Sequence, residues 1–350
     1  MRSLIDIHDL TVAELDALIA RATDIAEHPA LYAEACHGKK LATLFFEPST
    51  RTRLSFEAAM LELGGSVIGF SDADSSSASK GESVADTARV ISAYADIIAM
   101  RHPKEGTAQV AAENATVPLI NAGDGGHAHP TQTLADLLTV HRRHGKIGGL
   151  TVGFCGDLKY GRTVHSLLSA LLRYEDVRVV LISPDELRIP QNYLEEMKAA
   201  GLTFCETADL EAAIPSLDIL YMTRIQRERF PDLTVYERLK DSYILTPEKL
   251  LGAKESLAIL HPLPRVNEIS VRVDADPRAA YFEQVKNGKY MRMALILKLL
   301  EEASRDPSPV PRPGKEDPSR ICRNPVCITH TEQELVPRYD EEGRCIFCRR

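Results

Sequence analysis

The residues richest in chemistry lie between 47 and 57: Glu47-Pro48-Ser49-Thr50-Arg51-Thr52-Arg53-Leu54-Ser55-Phe56-Glu57. An apolar run, Leu41 to Phe46, precedes them and reads as a buried strand. Glu47-Pro48 ends it, and Ser49 to Arg53 open a helical pattern whose apolar positions are Leu54, Ala58, Met60 and Leu61. Hydroxyls from Ser49, Thr50 and Thr52 and guanidiniums from Arg51 and Arg53 therefore gather at a helix N-terminus. Free N–H groups and the positive end of the helix dipole favour an anion there. Guanidinium forks add permanent, two-pronged phosphate recognition. The segment reads as a phosphate-binding loop built without the glycines of a Walker sequence. A capped surface helix with two solvated arginines is the plainer alternative.

The elements that must position these groups alternate along the chain. Thr11-Val-Ala-Glu14 is a capping box ahead of Leu15, Leu18, Ile19, Ala22 and Ala26 at helical spacing. Strands fit 41–46, 66–70, 96–100 and 117–120, with helices near 50–63, 83–94 and 106–114. After a longer helix at about 131–144, strands fit 150–155, 177–182, 203–205, 218–222 and 257–260, with helices near 162–173, 191–200 and 246–252. Such alternation predicts an α/β fold of two similar doubly wound parallel-sheet domains. The expected boundaries are 1–130 and 131–303, with a last helix at 286–303 packing back on the first domain. A linker at 304–319 carries five prolines, which exclude helix and sheet, and a small module follows at 320–350.

Open α/β folds bind ligands at the C-terminal ends of strands. Polar groups cluster where strands should end: Arg101-His102-Pro103, Asn121 to Gln132, Gly156 to Arg162, Met222 to Gln226 and His261 to Arg265. Arg51, Arg101, Arg162 and Arg224 all sit at strand ends, which implies substrates with several negative charges. A histidine after a glycine-rich turn, such as His129, also serves as a purely structural group. Gly153-Phe-Cys-Gly156 with Gly161 lacks the G-x-G-x-x-G spacing of a dinucleotide site. Ser75 to Ser79, with Lys80-Gly81-Glu82, reads as a loop whose lysine would serve as a mobile charge.

Composition narrows the field. The chain has 350 residues, 44% hydrophobic and 26% charged, as in ordinary globular proteins. A net charge of -8 argues against a general nucleic-acid binder, so an anion site must be a local cationic pocket. No apolar run reaches the roughly 18 residues of a spanning helix, and no signal pattern opens the chain. The expectation is a cytoplasmic protein without membrane contact, where structural disulfides are rare.

Up to about residue 304 the chain resembles the aspartate carbamoyltransferase catalytic chain family. The matching strings are Phe-Phe-Glu47-Pro-Ser-Thr-Arg-Thr-Arg53, Lys80-Gly-Glu-Ser, Met-Arg101-His-Pro, His129-Pro-Thr-Gln132, Gly-Asp157-Leu-Lys-Tyr-Gly-Arg162, Tyr-Met-Thr-Arg224-Ile-Gln226 and His261-Pro-Leu-Pro-Arg. The first string alone indicates only the wider carbamoyltransferase group. Arg162, Arg224-Ile-Gln226 and His-Pro-Leu-Pro point to the aspartate enzyme, and the His-Cys-Leu-Pro and Ser-Met-Gly strings expected of an ornithine enzyme are missing.

The resemblance implies the reaction of carbamoyl phosphate with L-aspartate to N-carbamoyl-L-aspartate and phosphate, an early step of pyrimidine biosynthesis. It implies that Ser49, Thr50, Arg51 and Thr52 hold phosphate, and that Arg101 bridges phosphate and carbamoyl oxygen. His129 and Thr52 would donate to the developing oxyanion. Gln132 and the carbonyls of Pro262 and Leu263 would orient the carbamoyl NH2 and the amine. Arg162, Arg224 and Gln226 would hold the aspartate carboxylates. Ser76 and Lys80 would enter a neighbouring subunit's site, making a homotrimer part of the mechanism, and Glu47 and Arg229 would lock domain closure. Catalysis needs no cofactor on this reading; either phosphate or His129 takes the amine's proton.

Four of the seven cysteines crowd the last 29 residues: Cys322 and Cys327, then Cys345 and Cys348 after seventeen intervening residues. Two close pairs of thiols have the form of a closed tetrahedral zinc site, and about thirty residues need such a staple. A disulfide pairing is the alternative, and His330 is a spare donor. Cys322-Arg-Asn-Pro-Val-Cys-Ile-Thr-His330 resembles the zinc domain of the regulatory chain that partners bacterial aspartate carbamoyltransferases. That resemblance implies a fused structural Zn2+ module supporting assembly, including pairing of trimers. The short linker leaves no room for the nucleotide-binding domain of that chain, so CTP or ATP control is not expected. A nucleic-acid ribbon fits poorly with the tail's Glu332, Glu334, Asp340, Glu341 and Glu342. A carbamoyltransferase with another acceptor amine and an idle scaffold acting through its tail are the competing functions.

Overall fold

The computed structural model describes residues 2–73, 76–225, 233–308, 310–332 and 334–349. It divides into two compact units, Met1–Thr131 with Lys289–Arg350, and Gln132–Gly288.

The first unit begins with α1 (Val12–Glu27), capped by reciprocal bonds between Thr11 and Glu14. Then come β1 (Lys40–Phe45), α2 (Thr50–Glu62), β2 (Ser66–Phe70), α3 (Val84–Ser92), β3 (Ile97–His102), α4 (Thr107–Asn114) and β4 (Leu119–Asp124). The four strands are parallel in the order β2-β1-β3-β4. Central β1 buries five of its six residues, whereas edge strand β2 buries none fully. That is why 41–46 is a continuous apolar run and 66–70 is mixed. The chain steps from β1 outward to β2, then returns to the other side of β1 for β3. The C-terminal ends of β1 and β3 therefore flank the sheet's topological switch point, where α/β sheets open a ligand crevice.

Helix α2 corrects one expectation. Leu54 and Leu61 are 52% and 59% exposed, while Phe56, Ala59, Met60 and Leu63 carry the buried face. Two residues separate Leu54 from Phe56, about 200° around a helix, so both cannot face β1 and β2.

The second unit holds most of α5 (Pro130–His144), then β5 (Thr151–Cys155), α6 (Arg162–Leu171), β6 (Arg178–Ile182), α7 (Gln191–Ala199), β7 (Thr203–Thr207), α8 (Leu210–Ala213), β8 (Ile219–Met222), α9 (Leu233–Leu239) and β9 (Ala258–Leu260). Its parallel sheet runs β7-β6-β5-β8-β9, which puts the switch point between β5 and β8. The helix expected at 246–252 is only a 3-10 turn at Glu248–Leu250, because Pro247 and Gly252 leave no length for more. The short helices α8 and α9 have no counterpart in the sequence reading.

Helix α10 (Tyr281–Arg305) begins earlier than the expected 286, and from Lys289 onward it belongs to the first unit. There Lys289 pairs with Glu62 at 2.6 Å and Arg292 donates to Ser55 at 3.1 Å. Past Arg305 the proline-rich stretch is not wholly free of sheet. Between Pro313 and Pro318, Lys315–Glu316 form β10, antiparallel to β11 (Arg338–Tyr339). Proline-free residues in that window still offer N–H groups to a ladder. No described helix is long and apolar enough to cross a membrane.

Candidate active site and cysteine centre

In the first unit, Ser49 is the N-cap of α2, yet its hydroxyl caps nothing in the helix. Arg51 makes no ion pair among the described residues, and burial together with nearby Arg101 lowers its pKa from the ordinary value. An unspent N-terminus beside a cation is a seat for an anion. Arg101 is the penultimate residue of β3, paired in register with Phe45, and is 8% exposed. It forms an ion pair with Glu47 at 2.9 Å, while its Nε is buried without a partner among the described residues. A buried guanidinium N–H without an acceptor is costly unless a ligand supplies one.

His129 precedes α5 and is 6% exposed. Its Nδ1 lies 3.5 Å from Thr131 Oγ1, which also meets Arg292 at 3.4 Å. Gly123 (φ +123°) explains how Arg101 and His129 come together. A Cβ on it would lie 3.0 Å from Arg101 Nη1 and 3.5 Å from His129 Cδ2. The positive φ and the tight approach to the Arg101 guanidinium favour glycine here, and the turn brings the backbone into contact with His129.

Beneath this turn lies a buried pair that sequence reasoning missed. Asp124 accepts from Gly106 N (2.9 Å), Asn121 Nδ2 (2.9 Å) and Ala128 N (3.1 Å), and pairs with His127 Nδ1 at 2.9 Å. Burial works against a charged His127, but Asp124 prevails and holds its pKa at about 9. His102 goes the other way. Burial, then Lys104, lower it to about 4, and its Nδ1 accepts from Lys104 N at 3.0 Å. Arg292, on α10, was also missed; it stacks 5.0 Å over Phe56. An arginine or aspartate inside an apolar run is the signal that would have found such residues.

Ser76 precedes the short 3-10 turn Ser77–Lys80, and Lys80 ends it. Ser76 Oγ bonds Ala73 O at 2.8 Å, and Lys80 is exposed and makes no ion pair among the described residues.

In the second unit, Gly156 and Asp157 follow β5, and Thr223 and Arg224 follow β8. Thr223 Oγ1 donates to Cys155 O at 3.0 Å and accepts from Asp157 N at 2.9 Å. Gly156 (φ +117°) packs on the Thr223 backbone, where a Cβ would come within 2.5 Å. The loop leading to Arg162, first residue of α6, is thereby strapped to the loop carrying Arg224 at the β5/β8 switch point. Gln132 Nε2 donates to Asp136 at 2.7 Å. Leu263 N donates to His261 Nδ1 at 2.8 Å, and His261 Nε2 meets Glu268 at 2.7 Å, fixing the loop of Pro262 and Leu263. Leu263 has φ +54°, a left-handed conformation costly for a leucine and held by this bonding. Gln226 and Arg229 lie outside the described residues.

The cysteine centre closes on the first unit. The Sγ atoms of Cys322, Cys327, Cys345 and Cys348 lie within 4.8 Å of one another, and all four residues are buried. Cys322 and Cys348 are 3.5 Å apart, Cys327 and Cys345 3.9 Å. Asn324 N and Thr329 Oγ1 point at the sulfurs of Cys322 and Cys327, at 3.5 and 3.3 Å, as they would toward thiolates. Donor set, spacing and second layer fit a four-thiolate metal site. His330 bonds Cys322 O instead, at 2.8 Å. All seven cysteines are free thiols.

The module docks beside β3. Glu105 N donates to Val326 O (3.1 Å), Ile328 N donates to Glu105 O (2.9 Å), and Asn324 Nδ2 donates to Glu105 Oε2 (2.5 Å). Arg338 pairs with Glu113 at 2.6 Å. The cysteines, Ile328 and Phe347 share one apolar cluster with Val84, Ala108 and Ala111.

Comparison with known proteins agrees with this geometry. Residues 2–142 match the carbamoyl-phosphate binding domain of aspartate/ornithine carbamoyltransferase, and residues 148–299 match its Asp/Orn binding domain. The chain is 61% identical over 301 residues (86% of this chain, 98% of the relative) to the aspartate carbamoyltransferase catalytic subunit of Lachnoclostridium phytofermentans. It is 58% identical over 299 residues, 85% of this chain and 98% of the relative, to that of Clostridium novyi. The solved catalytic subunit of M. jannaschii aspartate transcarbamoylase superposes with a TM-score of 0.82 at 49% identity, covering 87% of this chain and 99% of that one. Aspartate transcarbamoylase from Trypanosoma cruzi, in complex with carbamoyl phosphate and aspartate, gives 0.80 at 39%, covering 85% and 96%. Both domain matches end before the cysteine tail, and on the residues they span the chain belongs to the aspartate/ornithine carbamoyltransferase family.

Proposed function

We infer that the chain is an aspartate carbamoyltransferase, transferring the carbamoyl group of carbamoyl phosphate to L-aspartate, with release of phosphate, in pyrimidine synthesis. The observation that carries this reading is the placement of a cationic set at the switch point of each sheet. Arg51 and Arg101 stand at the first, Arg162 and Arg224 at the second. A phosphorylated donor suits the former, a dicarboxylate acceptor the latter.

Carbamoyl phosphate would sit on the α2 N-terminus, its phosphate held by Ser49, Thr50, Arg51 and Thr52. It would draw Arg101 from Glu47 and supply an acceptor to the buried Nε. The amine of aspartate attacks the carbamoyl carbon, the C=O electrons move onto oxygen, the C–O bond to phosphate breaks as they return, and the departing phosphate takes the proton the amine gives up. Arg101, Thr52 and His129 stabilise that oxygen while it is charged. Gln132 and the carbonyls of Pro262 and Leu263 accept from the carbamoyl NH2 and the amine. Arg162, Arg224 and Gln226 hold the carboxylates, and Glu47 and Arg229 secure closure. Positioning and fixed positive charge supply the rate.

A homotrimer belongs to this reading, with Ser76 and Lys80 lent to a neighbouring site. Exposed Lys80 and the apolar strip of Leu54 and Leu61 support it. The four cysteines would hold Zn2+, a structural ion that folds the module, and the module would also help join trimers.

Calorimetric titration with N-(phosphonacetyl)-L-aspartate, which joins a phosphonate to two carboxylates, tests the site. Tight binding by the wild-type chain, weakened about 100-fold or more in Arg51→Ala and in Arg162→Ala, is expected. Binding that neither substitution weakens would contradict the assignment.

A further inference from the structure

Asp136 lies on α5, one turn beyond Gln132, and is fully buried. Among the described residues its donors include Gln132 Nε2 at 2.7 Å and Gln284 Nε2 at 2.5 Å, both on Oδ1, and Tyr221 OH at 3.0 Å on Oδ2. A carboxylate accepts and does not donate, so both glutamines must turn their NH2 groups toward it. The carbonyl end of each amide is thereby turned away. Gln284 Oε1 then accepts the backbone N–H of His261 at 3.0 Å, and His261 Nδ1 accepts that of Leu263 at 2.8 Å. Gln132 Oε1 accepts no hydrogen bond among the described residues, and neither do the carbonyls of Pro262 and Leu263. One buried carboxylate thus sets the polarity of a network whose outputs are three unspent carbonyl acceptors, all in the second unit.

We propose that Asp136, relayed by Gln284, is the positioning residue that makes this site specific for a donor bearing an NH2 group on its reacting carbon. The proposal rests on the carbamoyl-transfer reading above. Acetyl phosphate has the same shape with CH3 in place of NH2, and it offers those acceptors nothing. Sites built to hydrogen-bond an N–H reject analogues that lack it far more strongly than they discriminate by size. Burial keeps the Tyr221 phenol protonated by raising its pKa, which preserves its role as a donor to Asp136.

The test uses the full-length chain and two readouts: kcat/KM for carbamoyl phosphate with saturating L-aspartate, and the inhibition constant of acetyl phosphate as a competitor. Asp136→Leu removes the carboxylate acceptors while keeping the branching of the side chain. It should lower kcat/KM for carbamoyl phosphate by about tenfold or more while the acetyl phosphate constant stays within about threefold. Asp136→Asn keeps one carbonyl for both glutamines and an NH2 for the Tyr221 oxygen, so it should rescue both values to near wild type. Gln284→Leu frees the 261–263 loop and serves if Asp136→Leu does not fold; it should move the same ratio in the same direction. Equal losses on both readouts, no loss with carbamoyl phosphate, or no rescue by asparagine would overturn the proposal. A wild-type chain inactive with aspartate would instead overturn the functional reading beneath it.

Discussion

The two α/β units and the cysteine module hold themselves together by different means. In the units, strands such as β1, β4 and β8 are buried almost end to end, and helices cover sheets of four and five strands. Removal of apolar surface from water suffices there. The module has two strands of two residues and one 3-10 turn. Its interior is four cysteines with Ile328, Tyr339 and Phe347, and even these merge into the cluster of the first unit. So little regular structure cannot offset chain entropy by burial alone. The module is therefore a dependent body that leans on its docking and, on the reading proposed above, on a metal held by the four cysteines, whereas each α/β unit carries its own core.

Removing the metal should break this comparison most sharply. Structural zinc contributes on the order of 10 kcal/mol to small domains. Chelation, or Cys345→Ser, should abolish hydrogen-exchange protection across 322–348 while the central strands β1, β3, β5 and β8 stay protected. Collapse of both sheets together with the module would show that the units are not self-sufficient.

A smaller effect is expected at the Asp124–His127 pair, which lies under the Gly106 turn that the module covers. His127 is raised from its ordinary 6.5 to about 9, so its contribution is full below pH 6.5 and is lost as pH rises through 9. Asp124 is depressed by its partner against the cost of burial, so its contribution is lost only in acid. His127→Gln should cost about 3 kcal/mol in denaturant unfolding at pH 6. The deficit should shrink toward zero by pH 10; one that stays constant with pH would mean the pair is not ionic.

The smallest effect concerns the seam itself. Asn324→Ala removes the bond to Glu105 and should cost about 1–3 kcal/mol. Hydrogen exchange should place that loss in the module and the 103–107 turn, with β5 to β9 unaffected. Faster exchange spread evenly over both sheets would deny that the seam is local.

The comparison also explains what could be read from the sequence. Strand β2 was legible to the residue, and β1 and β5 within one, because parallel strands demand apolar runs bounded by turn residues. The helix start at residues 49–53 and the strand-end positions of the arginines were legible because each is set by a few consecutive residues. Leu54 and Leu61 misled because apolar spacing alone does not say which face a helix turns to its own sheet. Lys315–Glu316 was missed because its pairing partner, Arg338–Tyr339, lies over twenty residues away. Asp136, Gln284 and Arg292 escaped for the same reason, their partners Tyr221, Asp136 and Ser55 being distant in sequence, whereas Asp124 bonds mainly within its own turn and no period announces it. The four-cysteine cluster was readable, being two close pairs of cysteines, but its seat on Glu105 was not.

The central claim is met most directly by initial rates of carbamoyl transfer from carbamoyl phosphate, with L-aspartate and L-ornithine as parallel acceptors. The account predicts turnover with aspartate alone. Turnover with ornithine would keep the phosphate cradle of Arg51 and Arg101 but contradict the acceptor roles of Arg162 and Arg224. Absence of turnover with either, in a folded, metal-loaded chain, would contradict the account as a whole.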